Sequence, residues 1–405
     1  MGIVTLKFGG SSLAHTDLIK SAARRAIDTK ESGKDVIVVV SAMGDETDRL
    51  YGLADEIMDD PPAREMDMLV STGEQVSIAL MSIAIHSMGH DAISFLGGQI
   101  GMRTDNYHSK AKIIDIQTDR VDAALADGKI VIVAGFQGVD EDANITTLGR
   151  GGSDTSAVAI AAVFNADVCE INKDVDGIFT ADPRIVPGAR LLDTISYDEM
   201  LELAGMGAGV LHSRSVELAK KHSVPLRVRS SFNEKPGTLV CDEPNDSNVP
   251  VVRGATFNKK EAKITLESVP DQPGIASTIL QRIAERNINI DMIIQNPGHH
   301  GVTDVTFTVP KSDLHETMDV SRSVADEINA GEVVSDDQIA KISVIGSGMR
   351  NHPGVAHKMF VSLANAGVNI QNISTSEIKI SCIVREGDCD DSLRAVHDAF
   401  DLGNV

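Results

Sequence analysis

Apolar residues in the first part of the chain fall into short continuous runs separated by amphipathic stretches. Residues 35–44 (DVIVVVSAMG) and 128–138 (GKIVIVAGFQG) are β-branched runs that end in glycine or small polar residues. Runs of this kind are typical of strands that are buried on both faces of a parallel sheet and connected by helices. We therefore predict an α/β domain over residues 1–232, with a mostly parallel sheet between helices.

A different pattern follows residues 233–252, which contain three prolines and a polar, acidic stretch and are predicted to be a linker. Beyond them, Pro273-Gly274 recurs as Pro353-Gly354, and Asn289-Ile290 recurs as Asn369-Ile370, both at an offset of 80 residues. Each copy has the pattern of a strand, a turn, a helix and a strand, so we predict two similar α+β modules. Their predicted ranges are 253–338 and 339–405.

Composition and charge exclude several classes of protein. The chain has no run of eighteen apolar residues and enters a strand at its start without a signal peptide, which predicts a cytoplasmic protein with no membrane partner. The net charge of −22 would repel nucleic acid. The four cysteines form no CxxC pair. Cys382 and Cys389 could form half of a zinc site or a disulfide, and reduced thiols are the simpler interpretation.

Several loops rich in glycine or small polar residues follow the predicted strands. Ligands bind at the carboxyl ends of parallel strands, so we expect these loops to form one large site. The loops are residues 9–12, 41–47, 97–101, 135–138 and 149–154.

Two of the loops carry charged residues that suit an anion. Lys7 ends the first strand, and Gly9 and Gly10 after it let the backbone approach an oxyanion at a helix start. In TTLGRGGSDT, the planar guanidinium of Arg150 suits a carboxylate, and Asp154 begins a helix of small residues. The alternatives are a strand-to-helix turn with a solvent-facing lysine and a glycine-rich turn without function. No Walker A, GxGxxG or HExxH pattern is present, so phosphate chemistry here would not be of the P-loop or protein-kinase type.

The ordered set of motifs KFGGSSLA, VVSAMG, LVSTGE, AGFQG, TTLGRGGSDTSAVA and DVDGIFTADPRIV resembles the aspartate kinase family, and the Pro-Gly repeats are similar to its tandem ACT domains. The resemblance implies an amino-acid-kinase fold followed by two α+β ACT domains of βαββαβ order. It also implies that ATP, with Mg²⁺, phosphorylates the side-chain carboxylate of L-aspartate to 4-phospho-L-aspartate, the first step of lysine, threonine and methionine synthesis. That carboxylate has an ordinary pKa of about 3.9, so no general base is needed.

The resemblance further assigns roles to individual residues. Lys7 and Asp154 would be catalytic, with Asp154 fixing Lys7 or the water around Mg²⁺. Glu74 would bind the α-ammonium of aspartate and Arg150 a carboxylate; an ordinary surface glutamate is the alternative for Glu74. The full substrate set is Ser41, Thr47, Glu74, Arg150, Gly152 and Ser153. The nucleotide set is Lys7, Gly9, Gly10, Ser11, Lys173, Asp174, Phe179, Asp182 and Arg184. No protein ligand to the metal is predicted, because phosphates and water would hold it.

The sequence departs from the family pattern at the nucleotide segment. Asn172 and Lys173 replace an aromatic residue and a serine or threonine, Phe179 replaces a frequent tyrosine, and Gly209 stands where a phosphate-contacting lysine is expected. Our hypothesis is that Lys173 replaces that lysine. The alternative is an amino-acid sensor with a degenerate nucleotide site. A kinase for glutamate, acetylglutamate or a nucleoside monophosphate would lack the tandem repeats.

The repeats are predicted to bind threonine and/or lysine as regulators. Asn351 of the second copy stands where the first has Asp271, so the first copy is the predicted binding copy for an amino-acid ammonium. Modules that serve only dimerisation are the alternative. The residues implied are Asp271, Gly274, Ile275, Ala276, Asn289, Gln295, Asn351, Gly354, Val355, Asn369 and Ile370. We expect a homodimer or higher homo-oligomer. A smaller subunit from an internal start would need a non-standard codon, because no methionine lies between Met206 and Met292.

Overall fold

The computed structural model describes residues 2–205, 210–242, 250–296, 298 and 301–403. Contacts within the chain divide it into two compact units. The first unit comprises Met1–Phe179 and Leu191–Val249, and the second comprises Thr180–Arg190 and Pro250–Val405. The chain therefore passes from the first unit to the second, returns, and passes over again.

The first unit alternates strands and helices along most of its length. Its strands are β1 (Ile3–Phe8), β2 (Asp35–Val40), β3 (Ala92–Phe95), β4 (Arg103–Thr104), β5 (Ile113–Asp115), β6 (Ile130–Ala134), β7 (Gln137–Val139), β8 (Ile145–Thr147), β9 (Val168–Lys173), β10 (Thr194–Ser196), β11 (Leu226–Ser230) and β12 (Thr238–Cys241). Its helices are α1 (Thr16–Glu31), α2 (Glu46–Asp55), α3 (Ala63–Val70), α4 (Thr72–Ser87), α5 (Asp119–Ala126), α6 (Gly152–Val163), α7 (Tyr197–Gly205) and α8 (Ser213–His222).

An eight-stranded sheet forms the centre of this unit, in the order β10-β12-β11-β9-β1-β2-β6-β3. Neighbouring strands are parallel except β11 and β12, which are antiparallel. Residues 36–40 of β2 and all of β6 are buried, and α1, α4 and α6 pack against these central strands. The predicted sheet of doubly buried, mostly parallel strands is confirmed. A second, small sheet has the strand order β5-β4-β7-β8. Its strands β7 and β8 lie between β6 and Arg150 in the sequence.

One helical stretch of the described chain, Ala63–Ser87, is apolar and long enough to cross a membrane, and half of its most apolar window is buried inside the protein. Ile78, Met81 and Ile85 of this stretch belong to the core formed with β1, β2 and α1. Packing into this core accounts for these three residues, whereas Met68, Val76 and Ile83 are exposed.

The second unit contains the two repeats. Its strands are β13 (Gly254–Asn258), β14 (Glu261–Pro270), β15 (Ile293–Gln295), β16 (Val302–Pro310), β17 (Val333–Asp336), β18 (Ile339–Ile345), β19 (Asn372–Thr375) and β20 (Lys379–Arg385). Its helices are α9 (Ile275–Ala284), α10 (Leu314–Ile328), α11 (Val355–Asn365) and α12 (Cys389–Ala399). The first module has the predicted βαββαβ order, from β14 to β17, and forms the sheet β15-β16-β14-β17. The second forms the sheet β13-β18-β20-β19. Its outer strand β13 therefore comes from residues 254–258, which lie within the range predicted for the first module.

Two further segments lie elsewhere than the predicted ranges suggest. Residues 238–241, within the stretch predicted as a linker, form strand β12 instead. They belong to the first unit because Val240 is fully buried and the strand pairs with β10 and β11. Residues 180–190, within the range predicted for the first domain, pack in the second unit. Ala181 and Val186 join its core, and the Oγ1 of Thr180 lies 3.0 Å from Nε2 of His397.

Candidate active site

The carboxyl ends of four neighbouring strands lie at one edge of the central sheet. Lys7 of β1 is in register with Val39 of β2 and with Ile171 of β9, and Val40 of β2 is in register with Ala134 of β6. The loops that follow these strands therefore begin side by side. This arrangement places residues 9–12, 41–47 and 135–138 next to one another, as the sequence predicts.

Gly10 is required by the close approach of two of these loops. A Cβ atom at Gly10 would lie 2.8 Å from the carbonyl oxygen of Gly44 and 3.1 Å from that of Ala42. The amide of Gly44 donates a hydrogen bond of 3.0 Å to the Gly10 carbonyl. Gly9 lies beside the Lys7 ammonium, since a Cβ there would be 3.5 Å from Nζ. Ser11 is exposed and begins a short helical turn.

Lys7, Asp154 and Lys173 form a network of charges in which Lys7 and Asp154 are buried and Lys173 is partly exposed. Asp154, in the first turn of α6, pairs with Lys7 Nζ at 2.6 Å through Oδ1 and with Lys173 Nζ at 3.0 Å through Oδ2. Burial would raise the pKa of Asp154, but the charges of Lys7 and Lys173 outweigh it and lower the pKa to about 2. Burial lowers the pKa of Lys7, and the charge of Asp154 opposes that shift. Two ammonium groups thus share one carboxylate at the strand ends.

Glu74 lies at the start of α4 and is only 2% exposed. Its Oε1 accepts a hydrogen bond of 3.0 Å from the amide of Ala42, whereas Oε2 has no hydrogen-bond partner among the described residues. Burial raises the pKa of this carboxyl group to about 8, although the bond from Ala42 opposes the rise. Ser41 and Thr47, in the same loop and at the start of α2, are half-buried. A buried, half-satisfied carboxyl group is suited to receive a cationic ligand group.

Arg150 lies between two glycines in the left-handed region, Gly149 with φ of 74° and Gly151 with φ of 72°. Its side chain is exposed. Gly152 and Ser153 follow in the buried first turn of α6, and Ser153 packs against Gly135, where a Cβ would lie 2.9 Å from its own Cβ. The loop therefore joins an exposed guanidinium to the network of charges at Asp154.

The predicted nucleotide residues do not all lie in one unit. Asp174 is exposed directly after β9, and Phe179 pairs with Leu191 at the edge of the first unit. Asp182 and Arg184 lie in the second unit and form an ion pair of 2.6 Å with each other. Gly209 lies outside the described residues.

Sequence reasoning missed two buried polar groups near the site. Asn172 was considered only as a departure from the family, but its Oδ1 accepts a bond of 2.7 Å from Arg25 and its Nδ2 donates to the Lys7 carbonyl at 3.3 Å. Asp67, in the otherwise apolar stretch MDMLV, is also buried. For Asp67, a polar residue within an apolar run was the available signal; Asn172 lies among polar residues in EINKD and carries no such signal.

The predicted regulatory residues lie in matching places of the two modules. Gly274 and Gly354 precede α9 and α11 with φ of 98° and 99°. The residues whose side chains are exposed are Asp271, Asn289, Gln295 and Asn369, whereas Ile275, Ala276, Val355 and Ile370 are half-buried. Of Asn351 only the backbone is described.

Comparison with known proteins bears directly on this site. The amino acid kinase family model matches residues 2–230, and ACT domain models match residues 264–325 and 342–400. The aspartokinase of Pseudomonas aeruginosa is 49% identical over 99% of this chain and 98% of its own length. That of Corynebacterium glutamicum is 49% identical over 100% of this chain and 97% of its own.

A solved structure agrees with these relatives. The crystal structure of E. coli aspartokinase III in complex with aspartate and ADP matches with a TM-score of 0.82 and 25% identity, over 98% of this chain and 99% of that one. These matches confirm the family resemblance indicated by the motifs, the predicted fold and the predicted enzyme class. The chain belongs to the aspartate kinase family, with an amino acid kinase domain followed by two ACT domains.

Proposed function

We propose that the first unit transfers the γ-phosphoryl group of ATP to the side-chain carboxylate of L-aspartate, giving 4-phospho-L-aspartate and ADP. A carboxylate oxygen forms the new bond to phosphorus, and the bond between phosphorus and the β–γ bridging oxygen breaks, so no proton needs to move. The observation that carries this proposal is the sharing of Asp154 by Lys7 and Lys173 at the strand ends, close to the loop of Arg150.

The main barrier is the approach of one anion to another, so fixed positive charge should dominate catalysis. Lys7 and Lys173 together carry one more charge than Asp154 neutralises, and Asp154 holds both ammonium groups in place before the nucleotide binds. We assign Lys7 to the oxygens of the transferring group. Mg²⁺ would arrive with ATP as part of the substrate, held mainly by the phosphates and water.

The unpartnered Oε2 of Glu74 is our proposed acceptor for the α-ammonium of aspartate. Because its pKa is raised to about 8, Glu74 would be protonated in the free protein at neutral pH. The arriving ammonium would favour the carboxylate, so binding should release a proton. Arg150 would pair with a carboxylate of the same substrate.

Lys173 is proposed to take the place of the phosphate-contacting lysine expected at position 209. Its ammonium already lies in the same network as that of Lys7, 3.0 Å from Asp154, and its side chain is partly exposed. A ligand oxygen could therefore reach it without displacing β9.

For the second unit we propose feedback inhibition by threonine and/or lysine. A solved E. coli aspartokinase III contains lysine and aspartate. In this chain, the exposed Asp271 and the left-handed Gly274 before α9 could bind the ammonium and carboxylate of an amino acid. ATP and aspartate are cytoplasmic metabolites, so we also propose a cytoplasmic enzyme, and a homodimer or higher homo-oligomer.

The decisive assay is ATP-dependent hydroxamate formation in the presence of hydroxylamine, with aspartate, glutamate and buffer compared. We expect product with aspartate only, and its loss in Lys7→Met. Full turnover in Lys7→Met would overturn the assignment of the catalytic site. Binding of aspartate without any hydroxamate would favour the sensor alternative.

A further inference from the structure

A buried carboxylate outside the predicted site fastens one loop of the first unit. Asp67 lies on α3 and is 1% exposed. The amide of Ser109 donates to both of its oxygens at 3.0 Å, and the hydroxyl of Thr147 donates to Oδ1 at 2.5 Å. Nδ1 of His108 lies 2.8 Å from Oδ2. Asp67 therefore holds residues 108–109 and the end of β8 together; we call these contacts the Asp67 clamp.

The clamp imposes an unusual backbone on the loop. Ser109 has φ of 65°, in the left-handed region that a residue with a side chain rarely adopts. Such a conformation persists only where surrounding contacts enforce it, and the two bonds from the Ser109 amide to Asp67 do so. The orientation of the Ser109 carbonyl follows from this backbone.

That carbonyl lies directly against the turn that carries Arg150. A Cβ atom at Gly149 would be 2.7 Å from the Ser109 oxygen, and Gly149 has φ of 74°. Only glycine fits both conditions without a shift of one loop. The position of the clamped loop therefore sets the position of Gly149, the residue immediately before Arg150.

Further hydrogen bonds hold the same turn. The amide of Ala111 donates to the Thr147 carbonyl at 2.9 Å, and Arg214 of α8 donates to the Leu148 carbonyl at 2.9 Å. The charges of Asp67 and Arg150 both act on Tyr51. Burial raises the pKa of the Tyr51 hydroxyl, the charge of Asp67 adds to the rise, and the charge of Arg150 opposes it. The backbone of the turn is thus held while the Arg150 side chain remains exposed.

We propose that Asp67 is a positioning residue of the kinase reaction, which fixes, through Ser109 and Thr147, the turn that presents Arg150 to a carboxylate of L-aspartate. The inference rests on the proposed function, because it requires Arg150 to bind that carboxylate. The clamp acts on the aspartate side of the site and leaves the Lys7–Asp154–Lys173 network untouched.

The test is steady-state kinetics of the full-length chain with Asp67→Asn. Asparagine keeps the size of the side chain but replaces one carboxylate oxygen with an NH₂ group, so the clamp loses its negative charge and one of the two oxygens that face Ser109, Thr147 and His108. We expect the KM for aspartate to rise about 10–100-fold, as for loss of a buried charged acceptor, with less than about a twofold change in the KM for ATP. Asp142→Asn, at an exposed position of the 140–144 turn, is the matched control and should leave both constants unchanged.

A double-mutant cycle with Arg150→Ala separates positioning from a general effect on stability. If Asp67 acts through Arg150, adding Asp67→Asn to Arg150→Ala should not raise the KM for aspartate further. If the double variant shows the product of the two single effects on the KM for aspartate, or if Asp67→Asn leaves that KM unchanged, the inference is overturned while the proposed function stands. An unchanged KM in Arg150→Ala itself would instead count against the proposed role of Arg150. Should Asp67→Asn fail to fold, Gly149→Ala moves the same turn directly and should show the same split between the two KM values.

Discussion

The carboxyl group of Glu74 is buried, and one of its oxygens has no hydrogen-bond partner among the described residues. Replacing Glu74 by glutamine should therefore stabilise the protein without ligand, by a free energy of unfolding that grows as the pH rises. The folded protein holds the Glu74 proton up to a pKa of about 8, whereas the unfolded chain releases it near the ordinary value of 4.5. Below pH 4.5 both states are protonated and the carboxyl group has no effect. Between pH 4.5 and 8 the folded state binds more protons than the unfolded state, so stability falls as the pH rises.

The size of this effect follows from the difference between the two pKa values. The difference of 8 − 4.5 = 3.5 pH units corresponds to about 5 kcal/mol at high pH, at about 1.4 kcal/mol per unit. Of this, about 3 kcal/mol should develop between pH 5 and pH 8. Glutamine does not titrate, so the stability of Glu74→Gln relative to the parent should rise by that amount over this interval.

Urea unfolding of both proteins at several pH values, without aspartate, measures this difference. Calorimetry of aspartate binding in buffers of different ionisation enthalpy measures the second expectation, release of nearly one proton per aspartate at pH 7 by the parent. Glu74→Gln should release none and bind aspartate weakly. A stability difference that does not change with pH would refute the burial argument. Binding of aspartate without proton release would refute the pairing of Glu74 with the α-ammonium.

Three further predictions concern other parts of the chain. Lys173→Ala should raise the KM for ATP about 10–100-fold, as for loss of one charged hydrogen bond; the control is Lys129→Ala, which removes a half-buried lysine paired with Asp127, and an unchanged KM in Lys173→Ala would show that Lys173 does not bind the nucleotide. Gly10→Ala should lower kcat/KM at least about tenfold, because its Cβ would meet the Gly44 carbonyl at 2.8 Å; kinetics equal to the parent would mean that the two loops can separate freely. Asp271→Ala should abolish inhibition by threonine or lysine without changing kcat, and an inhibition curve that does not move would exclude Asp271 from the regulatory site.

Much of the fold follows from local patterns in the sequence. The continuous β-branched runs of β2 and β6 are typical of strands buried on both faces, and parallel strands bring the loops after them to one edge. The repeat at an offset of 80 residues specified two equivalent modules, and their burial patterns agree in the structure. Lys7, Glu74 and Asp154 could be proposed because each stands next to glycines at a predicted strand end or helix start.

Other features depend on contacts between distant residues and leave no periodic signal. Asp67 contacts residues 41, 42 and 80 positions away, so its partners cannot be identified from the sequence around it. The pairing of β13 with β18 is equally distant in the chain. The raised pKa of Glu74 depends on how completely other elements bury the start of α4. The pattern of apolar and polar residues in α4 does not predict that burial.

Residues 180–190 have a practical consequence for dissecting this protein. The backbone joins the two units at 179/180, at 190/191 and again at 249/250, so a single cleavage after residue 232 would leave part of each unit in each fragment. A fragment that ends there would keep Ala181 and Val186 but lose the helices and strands that bury them, and should aggregate. A chimera that exchanges the regulatory half for that of a relative would therefore need to transplant this short segment as well.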